Sequence, residues 1–235
     1  MGNDLHTSRD PQATSRVRER VLEPEVMDTA EESLEYERMD HAAPNEAVVN
    51  RLAQLKAHGR MLDLGCGPGH IPVGVCERFS DSCVVGLDMS FEMLKLAQVR
   101  VSECGLRDRV HLVIGDVKRL PCADDSYDTV YSNTTLHHIP EPRRLLCEAW
   151  RVLRQGGVLL IRDLYRPESE RRRDELVDMY APLPQNTPKQ RRLLAESLDA
   201  ALTPQELQTL AQEEGMKDFY VTVDTDRHMT LQIKF

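Results

Sequence analysis

Three glycines in LDLGCGPGH, at Gly65, Gly67 and Gly69, form the densest chemical signal in the chain. They follow a short apolar run, MLDL (Met61 to Leu64), and precede a helix-like stretch. Glycines at such a junction allow a tight turn and let a ligand approach backbone N–H groups. The spacing is G-x-G-x-G, not the G-x-G-x-x-G of dinucleotide sites. Pro68 and Pro72 crowd the helix start where a pyrophosphate would sit. Standing alone, such a loop is equally a plain turn. Here two acids follow it in order. Asp88 ends the next apolar run about 20 residues on, where a carboxylate can accept hydrogen bonds from ribose hydroxyls. As a helix cap it would compete with Ser90. Asp116, in Gly115-Asp116-Val117, closes the run after that, where it could accept from an exocyclic adenine amine or simply hold a turn.

The elements that must position these residues follow from periodicity. MLDL, CVVGLD (Cys83 to Asp88), RVHLVIG (Arg109 to Gly115), YDTVYSN (Tyr127 to Asn133) and GVLLIRD (Gly157 to Asp163) are continuous apolar runs, as expected of strands covered on both faces. Helical segments separate them. Ser90 caps one that runs from Phe91 toward Cys104 and stops at Gly105, and Pro142 opens another that ends before Gly156. Repeated β–α units predict an α/β fold with a parallel, doubly wound sheet. The end of the chain differs. Thr203-Pro204-Gln205-Glu206 is a capping box, Gly215 closes its helix, and DFYVTVD and HMTLQIKF then alternate as a terminal antiparallel hairpin. Upstream, residues 1–15 read as a disordered tail, and Arg16 to Glu32 as a weak amphipathic helix. Pro44-Asn45 opens a firmer helix with Val48, Val49, Leu52 and Leu55 on one face.

Composition narrows the partners. Of 235 residues, 40% are hydrophobic, enough for one domain with its own core. A net charge of −9 repels phosphates and anionic lipid, so neither a nucleic-acid substrate nor stable membrane insertion is expected. No apolar run approaches the ~20 residues of a membrane span, and the start carries no signal-peptide core. Six dispersed cysteines without a C-x-x-C pair read as small buried thiols in a reducing compartment. A cytoplasmic location is expected, and no metal site is argued.

The glycine loop, Asp88 and Gly115-Asp116, in this order, resemble the class I S-adenosylmethionine (SAM)-dependent methyltransferases. YDTVYSNTTLHHIPEPRRLLCEAWRVLRQGGVLLIRDL (Tyr127 to Leu164) extends the likeness to the small-molecule branch related to ubiquinone and menaquinone methyltransferases. The resemblance implies a Rossmann-like seven-stranded sheet whose last strand is antiparallel. It implies SAM as cofactor, S-adenosylhomocysteine as product and a small-molecule acceptor. It puts the methionine moiety near Asp63, Gly65 and Gly67, the ribose at Asp88 and the adenine against Met89, with its edge at Asp116 and Val117. Asn133 would lie beside the sulfonium. Met89 could equally be ordinary core packing. Ser132-Asn133-Thr134-Thr135 departs from the Pro-Pro-aromatic motif of amino-group methyltransferases that act on nucleic acid or glutamine.

The same resemblance sets the organisation expected around the site. Residues 16–58 form an N-terminal helical lid, 59–235 the SAM-binding domain, and 165–201 an insertion within it. His137 and His138 follow the fourth strand on the acceptor side. Side chains alternate on an extended chain, so one of the pair should face the pocket. His138 is the favoured general base, with Tyr36 on the lid as its partner. Both histidines could instead satisfy backbone groups. The run Arg171-Arg172-Arg173 is either an attraction for an anionic acceptor or a solvated helix face. A non-catalytic SAM-binding sensor or accessory subunit is the alternative function. Acceptor identity and oligomeric state are not encoded in these motifs.

Overall fold

The computed structural model describes residues 18–23, 29–37 and 42–234. Two N-terminal helices, α1 (Ala30–Glu37) and α2 (Ala42–Gln54), lead into the alternating region. There β1 (Arg60–Leu64), α3 (His70–Arg78), β2 (Cys83–Asp88), α4 (Phe91–Glu103) and β3 (Val110–Ile114) make the first half. The second half is β4 (Tyr127–Asn133), a 3-10 turn η1 (Leu136–His138), α5 (Pro142–Val152) and β5 (Leu153–Leu164). Helices α6 (Glu170–Tyr180), α7 (Pro188–Ala200) and α8 (Pro204–Glu213) then precede the hairpin of β6 (Phe219–Val223) and β7 (His228–Lys234).

The seven strands form one sheet in the order β3-β2-β1-β4-β5-β7-β6. Strands β1 to β5 pair in parallel, and β7 runs antiparallel to both β5 and β6. The continuous apolar runs are explained by burial on two sides. Leu159 and Ile161 of β5 join a core with Leu145 and Leu146 of α5 and Leu207 of α8. Their neighbours Val158 and Leu160 join a second core on the other face, with Val48 and Leu52 of α2 and Ile71 and Val75 of α3. Each such side chain, fully buried, contributes about 1.5–3 kcal/mol.

Local signals hold where they were read. The Ser90 hydroxyl accepts from the Met93 N–H at the start of α4, and Thr203 with Glu206 forms a reciprocal capping box on α8. A second such box, Thr187 with Gln190 on α7, went unread in the sequence. Helices α6 and α7 fall in the 165–201 stretch and share a small core of Leu176, Val177 and Leu198. The arginine run is neutralised along α6: Arg171 and Arg172 face Glu175, and Arg173 pairs with Asp199.

Two expectations are corrected. Residues 18–23, the described start of the helix read over Arg16 to Glu32, are not helical. Their polar groups are paired elsewhere: the Val21 N–H donates to the Asp199 carbonyl at 3.1 Å, and Arg18 pairs with Asp199. The cysteines are not uniformly buried, since Cys104 and Cys147 are exposed. The tail of residues 1–15 lies outside the described residues, as do 38–41 of the lid sequence. Tyr36 falls on α1, with its side chain outside the described part.

Candidate functional site

In an open parallel sheet the crevice lies beyond the carboxyl ends of the strands, where the strand order reverses. Here that point is between β1 and β4. A cavity sits there. Its walls are Gly65 and Gly67 after β1, Asp88 to Ser90 after β2, Asp116 to Lys118 after β3, and Asn133 to Thr135 with His138 and Ile139 after β4. A smaller recess shares Gly65, Gly67, Asn133 and Thr134 with it and adds Asn45, His70 and Ile71. Neither Asn45 nor His70 was assigned to a site from the sequence, because each reaches the recess from a helix whose docking is tertiary.

The loop works differently from a bare anion cradle. The N–H groups of Gly65 and Cys66 both donate to the Leu87 carbonyl, at 2.8 and 3.0 Å, and Gly67 N–H donates to Asp88 Oδ2 at 2.7 Å. The loop is thereby stitched over the end of β2, and these three donors are used internally. Gly65 has φ +77°, and a Cβ there would lie 2.3 Å from Thr135 Oγ1. Gly65→Ala is therefore expected to cost about 1–2 kcal/mol from the left-handed backbone, before the clash is added. Urea unfolding measures this, and a variant as stable as the parent would mean that the loop relaxes freely.

The acids resolve as follows. Ser90 caps α4, so Asp88 does not; Asp88 Oδ1 instead accepts from the Ser90 N–H at 2.9 Å. Burial raises the Asp88 carboxyl above its usual range, against the hydrogen bonds from Ser90 and Gly67. Asp116 accepts from the Lys118 N–H at 2.8 Å and pairs with its ammonium at 3.2 Å, so it both holds a turn and lines the cavity. Met89 is 45% exposed in the cavity wall, which removes the core-packing reading. Val117 is buried beside it. Asn133 Oδ1 accepts from buried Arg162 at 3.1 Å, which fixes the amide at the junction of cavity and recess. Asp63 is the exception. It is buried behind the loop and is not in either wall. Its Oδ2 has no hydrogen-bond partner, and burial with the charge of Asp88 pushes its carboxyl well above the usual range.

The two histidines do not sit on extended chain. They lie in η1, and contacts from distant elements separate them. His137 is buried, with Nδ1 2.6 Å from Asp163 Oδ1 at the end of β5. His138 lines the cavity. Glu23, from the N-terminal segment, lies 2.8 Å from His138 Nδ1 and 3.4 Å from His137 Nε2. Sequence reading missed Glu23, 115 positions away with no local signal. The ligand atoms of Glu23, His137 and His138 lie within 4.8 Å of one another, close enough to meet on a metal ion. The 2.8 Å separation is shorter than the roughly 3.3 Å between ligands of a tetrahedral ion at ~2.0 Å, and it is a direct carboxylate–imidazole contact.

A sheet of this order, with its cavity at the β1/β4 switch, is the Rossmann-like fold seen in methyltransferases. Residues 62–161 match the family model described as a methyltransferase domain. The chain is 37% identical over 119 residues to methyltransferase GfsG of Streptomyces halstedii, spanning 51% of this chain and 42% of that one. It is 34% identical over 115 residues to a demethylmenaquinone methyltransferase of Lactiplantibacillus plantarum, spanning 48% of each. The matches thus span about half the length of these curated relatives. A Methanococcus maripaludis structure classed with the SAM-dependent methyltransferases superposes with TM-score 0.70 at 18% identity, covering 91% of this chain and 96% of that one. Phosphoethanolamine N-methyltransferase 2 of Haemonchus contortus, with SAM bound, superposes with TM-score 0.64 at 22% identity, covering 84% and 44%. The matched segment contains the glycine loop, both strand-end acids, β4 and most of β5, so residues 62–161 carry a methyltransferase domain.

Proposed function

We propose that this chain transfers the methyl group of SAM to a small-molecule acceptor. The observation that carries the reading is electrostatic. Three loop N–H donors are already used, while the Asp88 carboxylate stands in the cavity wall beside the loop. That arrangement suits a cationic ligand and offers little to a pyrophosphate. SAM, with a sulfonium and an ammonium, fits it. Asp88 would hold the ribose, Met89 and Val117 the faces of the adenine, and Asp116 its edge. The methionine end would occupy the recess at Gly65 and Gly67, over the buried Asp63, with Asn133 beside the sulfonium. The bound cofactor supplies a methyl group already activated as an electrophile. The protein then has to orient the acceptor, exclude water and, for an alcohol or ammonium, remove a proton.

We assign that last role to His138, with Tyr36 of α1 as a partner from the lid, and place the acceptor in the large cavity on the η1 side. Among the described residues no helix is long and apolar enough to cross a membrane. The six free thiols support work in a reducing, cytoplasmic compartment. Calorimetry tests the reading. SAM and S-adenosylhomocysteine should bind and NAD should not. Asp88→Ala should weaken SAM binding by about 1.5–3 kcal/mol, the scale of hydrogen bonds to a charged group. NAD binding without SAM binding would overturn the proposal. A metabolite screen for acceptor-dependent release of S-adenosylhomocysteine then identifies the acceptor.

A further inference from the structure

The N-terminal segment of residues 18–23 is pinned against η1 and the end of α7. Arg20 donates to the carbonyls of His137 and Ile139, each at 2.9 Å, and to that of Ala200. This anchoring lays Glu23 across both histidines. Its side chain is only 6% exposed, so it needs partners. It finds them in His138 Nδ1 at 2.8 Å, His137 Nε2 at 3.4 Å and the Ser197 hydroxyl, which donates at 3.2 Å.

The two rings are thereby given different tasks. His137 sits between two carboxylates. Burial opposes its charge, but Asp163 and then Glu23 outweigh burial and raise it, which favours the charged ring. His138 is lowered by burial and by charged His137, against the pull of Glu23. The charged groups facing His138 are Glu23 from the N-terminal segment, His137 from its own turn, Asp163 from β5 and Asp88 from the end of β2. A neutral ring with a carboxylate at Nδ1 carries its hydrogen on Nδ1. Nε2 makes no hydrogen bond among the described residues and is the nitrogen left for the cavity.

We propose that Glu23 is a positioning residue for His138: its carboxylate holds the imidazole in the Nδ1–H form, with the Nε2 lone pair turned to the acceptor. The inference rests on the reading of this cavity as the methyl-transfer site. In the step it prepares, the O–H or N–H bond of the acceptor breaks and its electron pair stays on the heteroatom. The proton forms a new bond at Nε2, and the resulting imidazolium is stabilised by Glu23. The N-terminal segment would then belong to the site rather than merely cover it.

The test is nitrogen-resolved NMR of the histidine rings in the full chain, free and saturated with S-adenosylhomocysteine. The His138 signals are assigned by their loss in His138→Asn. We expect the Nδ1–H form in the parent. In Glu23→Ala the ring should pass to the Nε2–H form that predominates in free imidazole side chains. Glu23→Gln keeps an acceptor without the charge, so it should retain the Nδ1–H form with a lower pKa; it also serves if Glu23→Ala does not fold. With an acceptor in hand, Glu23→Ala should reduce kcat about 10²-fold, the lower end of a base's contribution, with SAM affinity unchanged. The Nε2–H form in the parent, or an unchanged ring form in Glu23→Ala, would overturn the role of Glu23. Failure of the parent to bind S-adenosylhomocysteine would instead overturn the reading of the cavity.

Discussion

Replacing His138 with alanine is expected to reduce turnover by about 10²–10⁴-fold while SAM affinity is retained. The expectation comes from position and protonation together. His138 lines the cavity after β4, and its Nδ1 is engaged by Glu23. Burial and the neighbouring His137 charge hold it below the ordinary histidine value. A base must be unprotonated to act, so kcat/KM should rise with pH and reach its plateau below that ordinary value. The acid limb should vanish in His138→Ala. His137→Asn is the control for shape: it disturbs η1 but leaves the cavity imidazole in place, so its effect should be smaller. Turnover that barely changes in a folded His138→Ala, at any pH, would make His138 structural and imply an acceptor that arrives deprotonated.

Removing the carboxylate of Asp163 should be the most damaging change to the fold near the site, with Asp163→Ala losing about 3–5 kcal/mol. Asp163 is 1% exposed. It accepts from the Leu136 N–H at 2.6 Å, the Leu164 N–H at 2.7 Å and His137 Nδ1 at 2.6 Å. Its loss strands two buried N–H donors and the buried His137 ring. The pair also predicts a pH dependence. Burial would raise the Asp163 carboxyl, but His137 holds it below its usual range. Its share of stability is present above the ordinary 3.8 and is lost as pH falls through the folded value. His137 is raised, so its share is full below 6.5 and is lost as pH rises through the folded value. The contribution of the pair is therefore greatest between these ordinary values. Urea titrations of parent and Asp163→Ala across that range measure the difference. A loss under about 1 kcal/mol, or one independent of pH, would mean that the pair does not hold η1 to β5.

Much of the framework is written locally. A β–α alternation is recognisable because each buried strand needs an unbroken apolar run and each helix needs its cap, and both signals lie within a few residues of the element they define. Ser90, Thr203 and Gly105 act at the positions where they were read. The glycine loop and the strand-end acids are legible for the same reason: a parallel sheet delivers every loop after a strand to one edge, so Gly65, Asp88, Asp116 and Asn133 must converge if the strands form at all. Asp63 shows the limit of that inference. It lies on the strand beside the loop, but its side chain is packed behind the wall.

The chemistry of the acceptor side was decided by tertiary structure. The alternation argument for the histidines assumed extended chain, whereas η1 turns the backbone and Asp163, from a strand 26 residues on, selects which ring is buried. Residues 18–23, within the segment read as a helix from Arg16, are instead non-helical and held against α7 and η1, where their donors find partners. Glu23 carries no signal in its neighbours that would place it beside His138. A sequence specifies periods and caps over short spans, and contacts between segments more than a hundred residues apart depend on how the sheet brings their ends together.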